Sequence, residues 1–187
     1  MKTPGAGGGA AAVAEVLLAA GASAALPMAA ADVVCDERVR LKCQIPICDS
    51  FRRNLTCPPF VMTVPEFRRA LRRYREGVLI QVRAPAGASR EEVFVPANRL
   101  HDLVNLGERE AFHRGYRFAA GLIGGCCRLC ETCVAAEGSV ACRHPFRARP
   151  SMEAVGIDVA ATVERVGLRV PFPMGDTVVW TGLILLE

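Results

Sequence analysis

Nine cysteines stand in a chain of 187 residues, and most of them fall into two groups whose spacing suits soft metal ions. The tighter group reads C-C-R-L-C-E-T-C from Cys126 to Cys133 and gains one more thiol at Cys142, with His144 and Pro145 just beyond. Thiolates at Cys127, Cys130 and Cys133, spaced C-x2-C-x2-C, set successive sulfurs on the inside of one turn, each able to reach a different iron of a cubane cluster. Cys142 supplies the fourth ligand. Zinc is more often pinched by one C-x2-C pair and completed by a distant pair, which leaves the middle cysteine of a triplet without a task. The triplet therefore favours iron-sulfur. Ferredoxin runs end in C-x3-C-P, whereas here eight residues separate Cys133 from Cys142, so the spacing marks a metal site more sharply than it marks the metal.

The looser group is Cys43, Cys48 and Cys57, spaced C-x4-C-x8-C-P-P, with Cys35 upstream. Proline after Cys57 fixes the backbone and removes a competing donor, which is the local form of a cluster-binding cysteine. These three ligands hold a cluster with one iron open to a small molecule, or Cys35 is the fourth. Cys35 and Cys126 read individually as plain core thiols, because free cysteine is among the most buried residue types. His144 reads as a structural histidine, and His101 and His113 have no partner pattern and receive no role. No Walker loop, G-x-S-x-G elbow, dinucleotide fingerprint or radical-SAM C-x3-C-x2-C spacing is present, and the pair Glu91 and Glu92 reads as surface charge. No residue is assigned a catalytic role.

Which chemistry the cysteines perform depends on the compartment. The start MKTPGAGGGAAAVAEVLLAAGASAALPMAAA has the lysine and small residues of a secretory signal, but Glu15 interrupts its apolar run, and Val13, Val16 and Leu17 recur at helical spacing. Its Ala-rich stretch predicts an amphipathic helix ended by Gly21, after a flexible GAGGGA end. Membrane spans need roughly 18 to 20 uninterrupted apolar residues, and none is reached. The expectation is a reducing cytoplasm, where close cysteines read as metal ligands or redox groups before they read as disulfides. With 51% hydrophobic and 22% charged residues the composition is that of an ordinary globular protein, and a net charge of +4, nearly all of its positive part from arginine, signals neither nucleic-acid nor membrane binding.

The elements that must position these cysteines are legible in outline. ADVV (31–34) predicts a short strand leading into the first loop, Cys35 to Pro59. Thr63 and Glu66 form a T-x-x-E capping box with Pro65 in the first turn, and Phe67, Leu71 and Tyr74 follow as an apolar stripe. The arginines Arg68, Arg69, Arg72, Arg73 and Arg75 make the other face, which reads as solvated more readily than as a site for an anionic partner. VLIQV (78–82) predicts a strand, APAGAS a loop and EEVFV (91–95) a further short strand. Asn98 predicts the cap of a long helix through Leu100, Leu103, Val104, Phe112, Tyr116 and Ala119 toward Gly124 and Gly125, with Gly107 as a point of weakness. The second loop runs from Cys126 to Pro150. Asp158 predicts the cap of a helix reaching Val166 with Gly167 as its stop, and TVVWTGLILLE predicts a buried strand. Helices and strands without regular alternation point to an α+β fold: a single domain with a mixed or antiparallel sheet, flanking helices and two cysteine-rich metal-binding loops. Residues 1–30 form an Ala/Gly-rich N-terminal segment and helix, and 31–187 the cysteine-rich domain.

Several of these motifs occur together elsewhere. The K-C-x4-C segment at Lys42, Cys43 and Cys48, the C-P-P at Cys57, the C-x2-C-x2-C from Cys127 and the R-P-S-M-E-A-x-G-I-D run from Arg149 to Asp158 resemble the DUF2284 family of predicted metal-binding proteins, over most of the chain from about residue 33. The resemblance implies seven ligand candidates, Cys43, Cys48, Cys57, Cys127, Cys130, Cys133 and Cys142, and leaves Cys35 and Cys126 as extras. Where the family has C-P-x-Y-G after the second cysteine of the first loop, this chain has Asp49, Ser50, Phe51 and Arg52. The Arg149 to Asp158 run reads as a turn and helix cap beside the metal.

The leading expectation is an iron-sulfur protein with one or two 4Fe-4S clusters, serving electron transfer with a redox partner protein. Alternatives are a zinc-stabilised binding module without redox function, or an enzyme with an open iron at Cys43, Cys48 and Cys57.

Overall fold

The apolar run at the C-terminal end forms strand β4, Thr177–Leu186, which lies antiparallel to β2, Glu76–Pro85, from Glu76 opposite Leu186 to Pro85 opposite Thr177. The structure is a computed structural model that describes residues 8–86, 89–171 and 175–187. Most of the glycine-rich start and part of the APAGAS loop lie outside the described residues. Strand β1, Ala24–Ala29, pairs antiparallel with the outer side of β2, and the short β3, Ala120–Leu122, with the outer side of β4, giving the order β1-β2-β4-β3.

The central strands are apolar throughout because both of their faces are covered. Successive side chains of a strand point to opposite faces. On one face Val78, Ile80, Val82, Ile184 and Leu186 meet Val13 and Leu17 of α1, Gly8–Ala19, and Leu100, Leu103 and Val104 of α4, Arg90–His113. On the other, Leu79, Leu183 and Leu185 meet Phe67 of α3, Val64–Leu71, and Val163 of α5, Val159–Arg165, together with Met152 and Ile157 from the segment before α5. Each fully buried leucine or isoleucine stabilises the fold by about 1.5–3 kcal/mol, so these two faces carry most of the driving force. The chain is a single α+β domain. Among the described residues no helix is long and apolar enough to cross a membrane.

The local signals hold where they were strongest. Thr63 N and Oγ1 donate to Glu66 Oε2 at 2.8 and 2.7 Å at the start of α3, and Asp158 Oδ1 accepts from Ala161 N at 3.0 Å at the start of α5, which Gly167 ends with φ +75°. Other expectations are corrected. EEVFV (91–95) is the first part of α4 and not a strand, because Ser89 and Glu92 form a capping box, Glu92 N donating to Ser89 Oγ at 3.2 Å. Asn98 therefore lies inside the helix, and Gly107 does not break it: a Cβ there would fall 2.3 Å from the Ile184 side chain, so glycine is what lets α4 sit down on β4. The helix ends at His113, with Tyr116 N returning to Ala111 O at 3.1 Å; Tyr116 and Ala119, expected to continue it, lie beyond its end, and β3 follows from Ala120. ADVV is also not a strand: residues 30–32 make a single 3-10 turn, and the strand in that region is β1.

Candidate metal centre

Strand β3 runs directly into Ile123, and there the second cysteine loop is clamped at its base. Ile123 N donates to Pro150 O at 3.0 Å and Met152 N donates to Ile123 O at 2.8 Å, so residues 124–150 leave and re-enter the domain side by side. The exit is tight. A Cβ on Gly124 would lie 2.7 Å from the Thr181 carbonyl oxygen, and Gly125, at φ +70°, would put one 2.9 Å from the Trp180 ring. Only glycine passes there without strain. Trp180 is itself held by its indole N–H on Val93 O at 3.0 Å. The far end of the loop is tied to α4: buried His101 bonds Arg147 O through Nε2 at 2.8 Å, Asn105 Nδ2 donates to the same oxygen at 3.1 Å, and Arg149 pairs with Glu108 at 2.5 Å.

Between these anchors the loop wraps a cavity of about 20 Å³. Cys127, Cys130, Cys133 and Cys142 all line it, with His144, and Asn54 and Thr56 close it from the first loop. That volume admits one water-sized occupant. Burial pushes the Cys127 thiol up, the neighbouring thiols of Cys142, Cys133 and Cys130 push it further, and the Leu129 N–H opposes them. A cation among these sulfurs would reverse that balance, since a coordinating thiol is deprotonated outright. The backbone N–H of His144 donates to Cys142 Sγ at 3.3 Å, the kind of contact that tunes a metal-bound sulfur. His144 thus contributes a backbone donor as well as a side chain at the cavity wall.

The first loop follows α2, Glu37–Leu41, and is built from turns: Cys43 N donates to Arg40 O and Cys48 N to Cys43 O, both at 3.1 Å, and Cys57 N to Asn54 O at 3.0 Å. Cys43 is half-buried, Cys48 exposed and Cys57 buried. The Cys57 thiol is driven far up by burial and then by the thiols of Cys126, Cys48, Cys43 and Cys127. Burial also raises Cys43, against the Arg40 guanidinium and with Cys48 and Glu153 adding to it. Cys35 stands elsewhere, in a cleft lined by Arg68, Leu71 and Tyr74, bridged to Ile157 through its backbone.

All nine cysteines are free thiols. Among the described residues no three His, Cys, Asp or Glu side chains stand in the arrangement that grips a metal ion. Four sulfur donors around one small cavity nonetheless fit the donor chemistry of a soft metal.

A family profile described as a predicted metal-binding protein matches residues 27–186. The chain belongs to the DUF2284 family. The match takes in both cysteine loops, and the family description names metal binding without naming a metal. Nothing among curated proteins and nothing among solved structures matches the chain.

Proposed function

We propose that this member of the DUF2284 family is an iron-sulfur protein, holding a 4Fe-4S cluster through Cys127, Cys130, Cys133 and Cys142 and exchanging single electrons with a redox partner protein. The observation that carries the reading is that all four of these thiols, and the His144 N–H on Cys142, border the same cavity. When bound, such a cluster supplies a one-electron couple whose potential depends on hydrogen bonds to the sulfurs and on burial. The protein's part is then to hold four thiolates half-sheltered from water and to aim N–H donors at them. The loop is clamped at its base by the bonds between Ile123, Pro150 and Met152, and the 3-10 turn Val134–Glu137, whose Ala136 N donates to Cys133 O at 2.9 Å, spans part of the stretch from Cys133 to Cys142.

The cavity's size favours a second reading, a single zinc ion held by four thiolates, because about 20 Å³ is nearer the size of one ion than of a cluster. The two differ in colour and in redox response. Protein purified without oxygen should show broad visible absorption that bleaches on adding a one-electron reductant, with a paramagnetic signal appearing in the reduced form. A colourless, diamagnetic protein that unfolds on chelation would instead establish the zinc site.

A further inference from the structure

We infer that Cys126 completes a second thiolate metal site with Cys43, Cys48 and Cys57, so that the consecutive residues Cys126 and Cys127 each serve a different centre. Only the second half of that statement rests on the proposed centre in the second loop.

The case begins with the backbone on either side of Cys126. Gly125 N donates to Glu153 Oε2 at 3.3 Å, and Cys127 O accepts from Asn54 Nδ2 at 2.9 Å. Both anchors lead to the first loop. Asn54 is also the acceptor for the Cys57 N–H at 3.0 Å, which places Cys57 one turn from the bond that fixes Cys127. Glu153 opens the turn Glu153–Val155, onto which Arg40 Nη1 donates at Ala154 O over 2.9 Å, and Arg40 O accepts the Cys43 N–H. Cys48 N is bonded in turn to Cys43 O. Two short chains of hydrogen bonds therefore bring Cys57 from one side and Cys43 with Cys48 from the other toward the single residue between Gly125 and Cys127.

Cys126 is also missing from the lining of the second-loop cavity, although its neighbour Cys127 is part of it. The thiols of Cys126, Cys48, Cys43 and Cys127 all stand near enough to that of Cys57 to act on it. Cys35, the other spare thiol, stands apart in the cleft beside Arg68 and Tyr74. Four sulfurs, one of them on buried Cys57, make a donor set for a soft ion, either zinc or an iron-sulfur cluster.

Metal and acid-labile sulfide per chain, measured on anaerobically purified full-length protein and on C126S, C48S, C35S and C130S, test this. C126S should lose the same share of metal as C48S, about half of the total, and keep the second-loop spectrum; C35S should keep everything. Sulfide lost together with the metal identifies a cluster, and metal lost alone identifies a single ion. Full metal retention in C126S, or equal losses in C126S and C35S, overturns the inference. So does a wild-type protein whose whole metal content disappears in both C126S and C130S, since one shared site would then explain every cysteine. An unchanged metal content in C130S would sink the second-loop centre alone and leave the C126S comparison standing. Alkylation mapped by mass spectrometry needs no variant: Cys126 should be protected as isolated and become reactive on chelation together with Cys43, Cys48 and Cys57. Cys126 labelled before chelation contradicts the assignment.

Discussion

Asn54 Nδ2 donates to the carbonyl oxygen of Cys127 at 2.9 Å while Asn54 Oδ1 accepts from Thr56 N and Oγ1, each at 3.0 Å, so one buried carboxamide fastens the first cysteine loop to the second. Each group of this amide has a partner, and none is easily replaced by water. Asn54→Asp keeps the bonds from Thr56 but turns an oxygen toward the Cys127 carbonyl. A lost partner of this kind costs about 1–3 kcal/mol. The urea midpoint of N54D should fall accordingly, and its bound metal should exchange faster than in the wild type. An unaltered midpoint would mean that the two loops are held together by something else.

Gly125 makes a second junction. At φ +70°, with a Cβ position 2.9 Å from the Trp180 ring, alanine there adds backbone strain of roughly 1–2 kcal/mol to a steric clash. G125A should melt several degrees below the wild type and bind less metal. Pairing it with Trp180→Leu should recover the steric part and leave the backbone part, which a double-mutant cycle in thermal unfolding separates. Strict additivity of the two losses would show that the ring is not what alanine meets.

His101 gives a pH dependence. Burial lowers its pKa from the ordinary value of 6.5, with the bond to the Arg147 carbonyl opposing. The unfolded chain therefore takes up the proton first, so this contribution to stability is complete above about pH 6.5 and shrinks as the pH falls below it. His101→Gln should flatten the fall in urea midpoint between about pH 7.5 and 5.5. Thiol ligands also pick up protons in acid, so the difference between the two proteins is the readout. Identical slopes would remove His101 from the account.

The sequence made the strongest local signals readable: the capping box at Thr63 and Glu66, the Asp158 cap with its Gly167 stop, and the apolar runs of β2 and β4 depend on residues close together in the chain. β1 was hidden because AALPMA shows no alternation of large apolar residues. Its Pro27 argues against a central strand and is accommodated at the sheet's edge. EEVFV looked like a strand because its alternation outweighed the S-x-x-E signal that in fact begins α4. Three residues are too few for β3 to show any period, and only pairing with Leu183–Leu185 makes it a strand. The grouping of Cys127, Cys130, Cys133 and Cys142 around one cavity follows the spacing. The neighbourhood of Cys126 does not, because it is created by Asn54 and Glu153, residues 73 and 28 positions from their partners.

The most direct test of the account is an iron and acid-labile sulfide determination on protein purified without oxygen. The iron-sulfur reading predicts iron and sulfide in equal amounts, with Cys130→Ser removing the second-loop share of both. Stoichiometric zinc with no labile sulfide would contradict it.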